Sequence, residues 1–406
     1  MQPVKEVKGA PLDQSWVSLL NSYRAKKVSH DNLVKVTEEI CRLIVPRGND
    51  GFIMVVGPTR VGKTTACDSI TASILMSALE EMKADPGYIP IAGMEATAYS
   101  TRYNWRDHWV GCLRALNEPL IDKKIDYTAP RIPRTRLSEG MAKYEREVTL
   151  RRSFETSATL RRLRNFTIDE AQQLTLVPAR SYRSQIEIIK SVASKSGALH
   201  LLFGTYDLLH LRNASGQLGA RAVTVHFRRY RPVPDELKSF AEAARSLILL
   251  MPFPEPPDLI DDSSMEYMFE TSLGCIGLLK VWFVDALGAA LEAGKKTLTI
   301  RDLERHTFPI DVREKISKEI VDGERALEED PQKLHRIRTR LQHNNNRKAP
   351  TVRVSSTADR QVFTDEEQKP RVSKANRRRP GERNPTRDPV GISRKRLRQN
   401  RETEMG

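Results

Sequence analysis

The chain has 406 residues, which is enough for two average domains or for one large domain with appendages. Its 39% hydrophobic content supports a buried core, but no run approaches the ~18 consecutive apolar residues of a transmembrane helix, so no membrane span is predicted. The first residues lack the basic-then-apolar layout of a secretory signal. Four widely separated cysteines show no metal-ligand or redox spacing, so we expect reduced thiols in a cytoplasmic protein.

The net charge of +15 is concentrated at the C-terminal end of the chain. Residues 331–406 contain 21 Lys and Arg against 8 Asp and Glu, a net charge of +13, which leaves +2 for residues 1–330. This tail has few large apolar residues and many Arg, Pro, Asn and Ser, so it is predicted to be disordered. It is a candidate electrostatic contact for DNA or for an acidic partner. A solubilising tail without a specific partner is the alternative.

The predicted elements alternate between helices and strands. Residues 12–45 carry apolar side chains at helical spacing, and the fully apolar run 52–56 is typical of a buried parallel strand. This alternation predicts an α/β fold, with an open, mainly parallel sheet covered by helices on both faces. Further strands are predicted at 88–96, 165–170, 199–205 and 222–227, and helices after the first strand to Met82, at 101–117, 139–162 and 178–194, and from 235 onward.

A phosphate-binding loop is predicted directly after the first strand. The residues from Gly57 to Thr64 match the pattern G-x-x-x-x-G-K-[ST] without a mismatch. Its glycines allow backbone N–H groups to curl around phosphate oxygens at the start of the following helix. We expect Lys63 to reach the β- and γ-phosphates of ATP and the Thr64 hydroxyl to bind Mg²⁺. The predicted nucleotide-binding residues are Gly57, Pro58, Thr59, Arg60, Val61, Gly62, Lys63, Thr64 and Thr65.

Two adjacent carboxylates follow the third predicted strand. Asp169 at a strand end is suited to hold Mg²⁺ through water, and Glu170 beside it is suited to polarise an attacking water. Taken alone, the pair would more simply cap the helix that follows. Combined with a phosphate-binding loop, it predicts a site of ATP hydrolysis.

Three further polar residues are candidates for the same site. Thr205 follows the fourth strand and is either a sensor of the γ-phosphate or a turn residue. Arg221 precedes the fifth strand and is a candidate to act in trans on the nucleotide of a neighbouring subunit. Lys280, in a helical lid, either reaches the phosphates or is an exposed lysine without a role. The arginines that compete with Arg221 are Arg180, Arg183, Arg212 and Arg228.

Aromatic and basic residues interleave between residues 99 and 109. One interpretation is a surface that lies against a nucleic-acid backbone. The alternative is that the aromatic side chains, at helical spacing, belong to the core. The aromatic residues are Tyr99, Tyr103, Trp105 and Trp109, and the arginines are Arg102 and Arg106.

The order of these motifs resembles the TnsC/TniB group of AAA+ transposition ATPases, relatives of MuB. The resemblance covers about residues 30–310 and is most specific in three boxes. These are TIDEAQQL (167–174), FGTYDLL (203–209) and SGQLGARAVTVHFRRY (215–230). Within the phosphate-binding loop, Arg60 departs from the more common Gly or Ser.

The resemblance implies a P-loop NTPase of the AAA+ kind with a small helical lid, using ATP and Mg²⁺. It further implies a bacterial, cytoplasmic homo-oligomer, a ring or filament on double-stranded DNA without sequence preference. Such an assembly recruits a transposase, contacts a target-selector protein and is reset by ATP hydrolysis. A helicase loader or replication initiator, or an adaptor that binds ATP without hydrolysing it, is the alternative. The predicted segments are an N-terminal helical lead-in (1–50), the AAA+ domain (51–250), a connection (251–262), the lid (263–330) and the basic tail (331–406).

Overall fold

The computed structural model describes residues 14–47, 51–98, 102–124, 139–214, 216–328 and 331–345. They form two compact units, the first ending at Pro331 and the second beginning at Gln332. Within these ranges no single helix is long and apolar enough to cross a membrane, and one bent helix pair, 262–271 with 276–292, passes that test by length and composition only.

A five-stranded, fully parallel sheet forms the centre of the first unit, which confirms the predicted α/β fold. Its strand order is β2-β3-β4-β1-β5, so β4 separates the strand before the phosphate-binding loop from the strand that ends in Asp169. The carboxyl ends of parallel strands meet at one edge, where ligands of open α/β sheets bind. The strands are β1 (Phe52–Val56), β2 (Ile91–Glu95), β3 (Asn165–Asp169), β4 (Leu199–Gly204) and β5 (Ala222–His226).

Fifteen α-helices lie in the described ranges, and most fall where helices are predicted. The predicted run 12–45 is two helices, and the run after the phosphate-binding loop is also divided. The helices are α1 (Gln14–Ala25), α2 (Asp31–Arg47), α3 (Lys63–Ser77), α4 (Leu79–Ala84), α5 (Trp105–Ala115), α6 (Glu139–Leu160), α7 (Tyr182–Ser196), α8 (Leu208–Ala214), α9 (Gly216–Arg221), α10 (Pro234–Leu249), α11 (Asp262–Thr271), α12 (Ile276–Glu292), α13 (Ile300–Arg305), α14 (Ile310–Leu327) and α15 (Pro331–Asn345).

Both faces of the sheet are buried. The side chains of β1 belong alternately to two hydrophobic clusters, one on each face. Phe52, Met54 and Val56 pack with side chains of α5 to α8, whereas Ile53 and Val55 pack with side chains of α2 and α3. All five side chains are fully buried. This explains why the strand is apolar throughout instead of alternating with polar residues.

A third cluster joins α10, which was predicted as part of the AAA+ domain, to the helices α11 to α13 of the predicted lid, and it includes α1. Trp282 and Phe283 of α12 are fully buried there, and Leu20 and Tyr23 of α1 are buried beside them. The predicted lead-in (1–50) is thus divided, since α1 packs with the lid and α2 with the sheet.

The prediction of disorder is wrong for the start of the basic tail. Pro331–Asn345 forms α15, because Lys, Arg, Gln and Leu are good helix formers and apolar residues recur three and four apart. Its apolar residues Leu334, Ile337 and Leu341 are exposed. Residues 346–406 lie outside the described part of the chain.

Candidate functional site

The phosphate-binding loop connects β1 to α3, as predicted, and its glycines meet specific geometric needs. A Cβ on Gly57 would overlap the carbonyl oxygen of Phe227, at the end of the neighbouring β5. Gly62 precedes α3 with a φ of 114°, a conformation that L side chains rarely adopt. Arg60 also has a positive φ, of 62°. Substitution by glycine would therefore relieve backbone strain at this unusual arginine.

Lys63 is buried, with 7% of its surface exposed. Its ammonium group donates hydrogen bonds to the carbonyl oxygens of Gly57 (3.2 Å) and Pro58 (2.7 Å). Burial lowers the pKa of Lys63 to about 8, although Glu170 and Asp169 oppose the shift by favouring the charged form. The loop thus holds a desolvated cation next to two carboxylates.

The two halves of the predicted site meet across the sheet. The Thr64 hydroxyl donates a hydrogen bond to Oδ2 of Asp169 at 2.7 Å, although 105 positions separate the two residues. The backbone N–H of Glu170 donates to the other carboxylate oxygen of Asp169 at 2.9 Å. Glu170 precedes the 3-10 helix Ala171–Thr175, and no capping hydrogen bond from its side chain occurs among the described residues. The simple capping interpretation of the pair therefore has no support at Glu170.

A cavity of about 1110 Å³ brings most of the predicted nucleotide-site residues together, whereas Gly57, Pro58, Val61 and Arg221 do not line it. Its walls come from the phosphate-binding loop, from the carboxyl ends of β2, β3 and β4, and from α1 and the lid helix α12. The residues that line it are Arg24, Thr59, Arg60, Gly62, Lys63, Thr64, Thr65, Glu95, Ala96, Thr97, Ala98, Asp169, Glu170, Gln172, Gln173, Thr205, Gly277, Lys280, Val281, Val284 and Asp285.

The structure adds Gln172, a residue that the site prediction missed. Its side-chain N–H donates to Oε2 of Glu170 at 2.6 Å, and its carbonyl oxygen accepts the backbone N–H of Thr205 at 3.2 Å. The Thr205 hydroxyl itself is directed to the carboxylate of Asp207 at 3.3 Å. Gln172 belongs to the box TIDEAQQL, so the signal was present, but its contact with Thr205 depends on sheet order.

The lid touches the phosphate-binding loop at the start of α12. A Cβ on Gly277 would overlap the carbonyl oxygen of Arg60, so only glycine permits this approach. Lys280, one turn later, lines the cavity. Its ammonium group, however, donates to the backbone carbonyl oxygens of Arg24 and Lys26. In this structure Lys280 joins the lid to the C-terminal end of α1.

Arg221 lies at the amino-terminal end of β5, whereas the phosphate-binding loop lies at the carboxyl-terminal ends of the strands. It ends α9, and the next residue, Ala222, pairs with Phe52 at the start of β1. The loop follows Val56, at the other end of that strand. Arg221 is exposed and does not line the cavity of its own chain, so a catalytic role requires a neighbouring subunit.

The aromatic residues of α5 belong to the core, which confirms the alternative interpretation. Trp105 and Trp109 are 8% and 1% exposed and stack at a ring distance of 5.2 Å, and Tyr103 is also buried. Of the residues in this predicted DNA-binding surface that the structure describes, only Arg102 and Arg106 are exposed. Tyr99 lies outside the described residues.

The residues present fit a magnesium–nucleotide complex. Magnesium prefers oxygen ligands and is commonly bound through one or two carboxylates together with substrate phosphates and water. Thr64 and Asp169 supply such oxygens, and no cluster of three or more His, Cys, Asp or Glu suited to a metal occurs among the described residues. A metal here would thus depend on the nucleotide for further ligands.

Comparison with known proteins agrees with this geometry. Residues 47–211 match the family model described as "AAA domain". None of the curated protein sequences matches the chain.

Solved structures of similar shape have low sequence identity to this chain and low TM-scores. They include the ORC2 protein of Aeropyrum pernix (14% identity, 72% of this chain and 73% of that chain, TM-score 0.47), ORC of Drosophila bound to DNA (13%, 75% and 68%, 0.43) and a Walker-type ATPase of Pyrococcus abyssi (14%, 76% and 76%, 0.37). The parallel sheet, the phosphate-binding loop and the family match over residues 47–211 agree, and together they show a P-loop fold of the AAA+ kind.

Proposed function

We propose that this chain binds ATP with Mg²⁺ and hydrolyses it to ADP and phosphate, slowly and as a switch. The observation that carries the proposal is the 2.7 Å hydrogen bond between Thr64 and Asp169, which places the phosphate-binding loop beside the carboxylate pair. The backbone of the loop and Lys63 hold the phosphates, and Thr64 and Asp169 hold the metal. Bound Mg²⁺ neutralises charge that develops on the phosphate oxygens.

Glu170 is the base of the proposed reaction. It lines the cavity next to Asp169, and its carboxylate accepts the proton of the attacking water while the loop keeps the phosphates in place. Thr205 reports on the γ-phosphate from the end of β4. Arg221, at the far edge of the sheet, stabilises transition-state charge in the site of an adjacent subunit. This arrangement requires an oligomer.

The biological role that we propose is regulation of transposition. The chain assembles as a ring or filament on double-stranded DNA in the bacterial cytoplasm, recruits a transposase, contacts a target-selector protein and is reset by hydrolysis. Support comes from the three TnsC/TniB-like boxes and from the basic residues 331–406.

Electron microscopy with a non-hydrolysable ATP analogue and random-sequence duplex DNA tests the assembly. Rings or filaments that require both ligands are expected, and the purified protein with either ligand alone is the control. Particles indifferent to DNA would contradict the proposal. Assemblies that form on DNA but neither bind nor activate a transposase would favour a helicase loader or a similar machine.

The variant Glu170→Gln tests the hydrolytic step. It is expected to bind ATP and DNA like the wild type but to lower the hydrolysis rate by roughly a hundredfold or more, which traps the assembled state. Normal hydrolysis by this variant would remove Glu170 from its proposed role.

A further inference from the structure

The side-chain amide of Gln172 lies between Glu170, the proposed base, and Thr205, the residue that follows β4. Its nitrogen donates to Oε2 of Glu170 at 2.6 Å, and its oxygen accepts the backbone N–H of Thr205 at 3.2 Å. The amide thus joins the residue after β3 to the residue after β4, two neighbouring strands. One half-buried side chain connects two residues proposed to act on the γ-phosphate.

The orientation of this amide is set by its two partners. A carboxylate accepts hydrogen bonds and a backbone N–H donates them, so only one of the two amide orientations satisfies both contacts. Reversing the amide would place oxygen against carboxylate and NH₂ against N–H. Glu170 therefore has one carboxylate oxygen held by a donor of fixed direction.

The surrounding backbone is built to admit this contact. A Cβ on Gly204 would fall 2.8 Å from the amide oxygen of Gln172, a distance that real side chains essentially never show, and a tight 3.1 Å from its backbone nitrogen. Glu170 has a φ of 50°, and the 3-10 helix begins at the buried Ala171. The Thr175 hydroxyl donates to the backbone carbonyl of Gln172 at 2.7 Å and fixes the turn.

We propose that Gln172 is a positioning residue for Glu170, and that it couples the direction of this carboxylate to the Thr205 end of β4. This inference rests on the proposed ATP hydrolysis. A displacement of the Thr205 backbone moves the amide oxygen, and the amide nitrogen then moves the carboxylate that accepts the proton. Gln172 touches neither the phosphates nor the attacking water in this role.

Two substitutions that keep a side chain of similar size distinguish the contributions of the two Gln172 hydrogen bonds. Gln172→Met keeps the shape and removes both bonds, and is expected to lower kcat by about 10- to 100-fold while the affinity for an ATP analogue changes by less than about twofold. Gln172→Glu keeps an acceptor for Thr205 but places a second carboxylate against Glu170. The two carboxylates repel each other, so kcat is expected to fall further than in Gln172→Met, by a factor that changes with pH as the introduced carboxyl titrates.

The measurements are steady-state hydrolysis between about pH 5 and pH 9 with Mg²⁺ and duplex DNA, nucleotide binding by calorimetry, and the melting temperature of each variant. Gln185→Met is the matched control, because Gln185 is another largely buried glutamine, on α7, and does not line the cavity. It is expected to leave kcat and the pH profile unchanged.

The outcomes distinguish this inference from the proposed function. If the wild type hydrolyses ATP and Glu170→Gln does not, but both Gln172 variants keep the wild-type kcat and pH profile, the positioning role alone is overturned. If Gln185→Met lowered kcat as much as the Gln172 variants do, and all of these variants also lowered the melting temperature, Gln172 would be merely structural. Absence of hydrolysis by the wild type would overturn both ideas.

Discussion

Lys63 is a charged side chain that the fold removes almost completely from water. Its ammonium group is satisfied by the carbonyl oxygens of Gly57 and Pro58, yet the cost of burial still lowers its pKa to about 8. When phosphates bind next to Lys63, they favour its charged form and raise its pKa. Nucleotide binding and protonation of this residue are therefore linked.

We expect the affinity for an ATP analogue to depend on pH in one direction. Below pH 8, Lys63 is protonated before and after binding, so its contribution is constant. Above pH 8, binding must take up a proton, and affinity should fall by up to about tenfold per pH unit. Calorimetry in buffers of different ionisation enthalpy measures both quantities, with Lys63→Met as the control that binds weakly without this dependence. A flat wild-type profile up to pH 9 would contradict the linkage.

Gly277 is a second residue whose role depends on close approach. Because a Cβ would overlap the carbonyl oxygen of Arg60, Gly277→Ala should push α12 away from the phosphate-binding loop. We expect a roughly tenfold loss of nucleotide affinity. The control is Gly288→Ala in the same helix, where the Cβ would meet only the flexible end of Leu20 at 3.3 Å. Equal affinities of the two variants would show that the lid does not need this contact.

At the scale of elements, α5 has one face in the core and one face exposed at the surface. Trp109 is 1% exposed and packs near Phe154 at a ring distance of 6.3 Å, whereas Arg106 is exposed. We expect Trp109→Ala to lower the free energy of unfolding by about 3–5 kcal/mol and Arg106→Ala by less than about 0.5 kcal/mol. Denaturant unfolding measures both. A small effect at Trp109 would contradict its place in the core.

The last helix of the first unit, α14, packs against the carboxyl-terminal end of the sheet. Arg229 forms a two-point ion pair with Glu324, at 3.0 and 3.2 Å. A Cβ on Gly323 would overlap the ring of Tyr206, the residue after Thr205. The helix thus contacts the segment that follows β4 directly.

At the scale of the whole molecule, charge is distributed very unevenly. Residues 331–406 carry +13 of the total +15. Deletion of this segment should weaken DNA binding most at low salt and flatten the dependence of affinity on salt, because fewer counterions are released. Fluorescence anisotropy across a salt series is the measurement. Arg336→Gln, Arg338→Gln and Arg340→Gln together preserve chain length and should show part of the effect. Unchanged affinity in about 50 mM salt would show that the segment does not contribute to DNA binding and serves only solubility.

Several features could be predicted from sequence because their signals are local. The run from Phe52 to Thr64 contains a whole strand, the loop and the start of a helix, so its pattern is sufficient by itself. Asp169 and Glu170 could be predicted only in combination with that loop, since an acidic pair before a helix also suits a cap. The helix at 331–345 was missed because low apolar content hid its good helix formers.

The sequence by itself determined the α/β class, the phosphate-binding loop, the carboxylate pair and the basic C-terminal segment, because each is written in neighbouring residues. Only the tertiary structure decided that Gln172 meets Thr205, that Lys280 binds backbone carbonyls at the end of α1, that Trp105 and Trp109 are core, and that Arg221 lies at the opposite end of the sheet from the phosphate-binding loop. These contacts join residues distant in the chain. They follow from strand order and helix packing, which no local periodicity encodes.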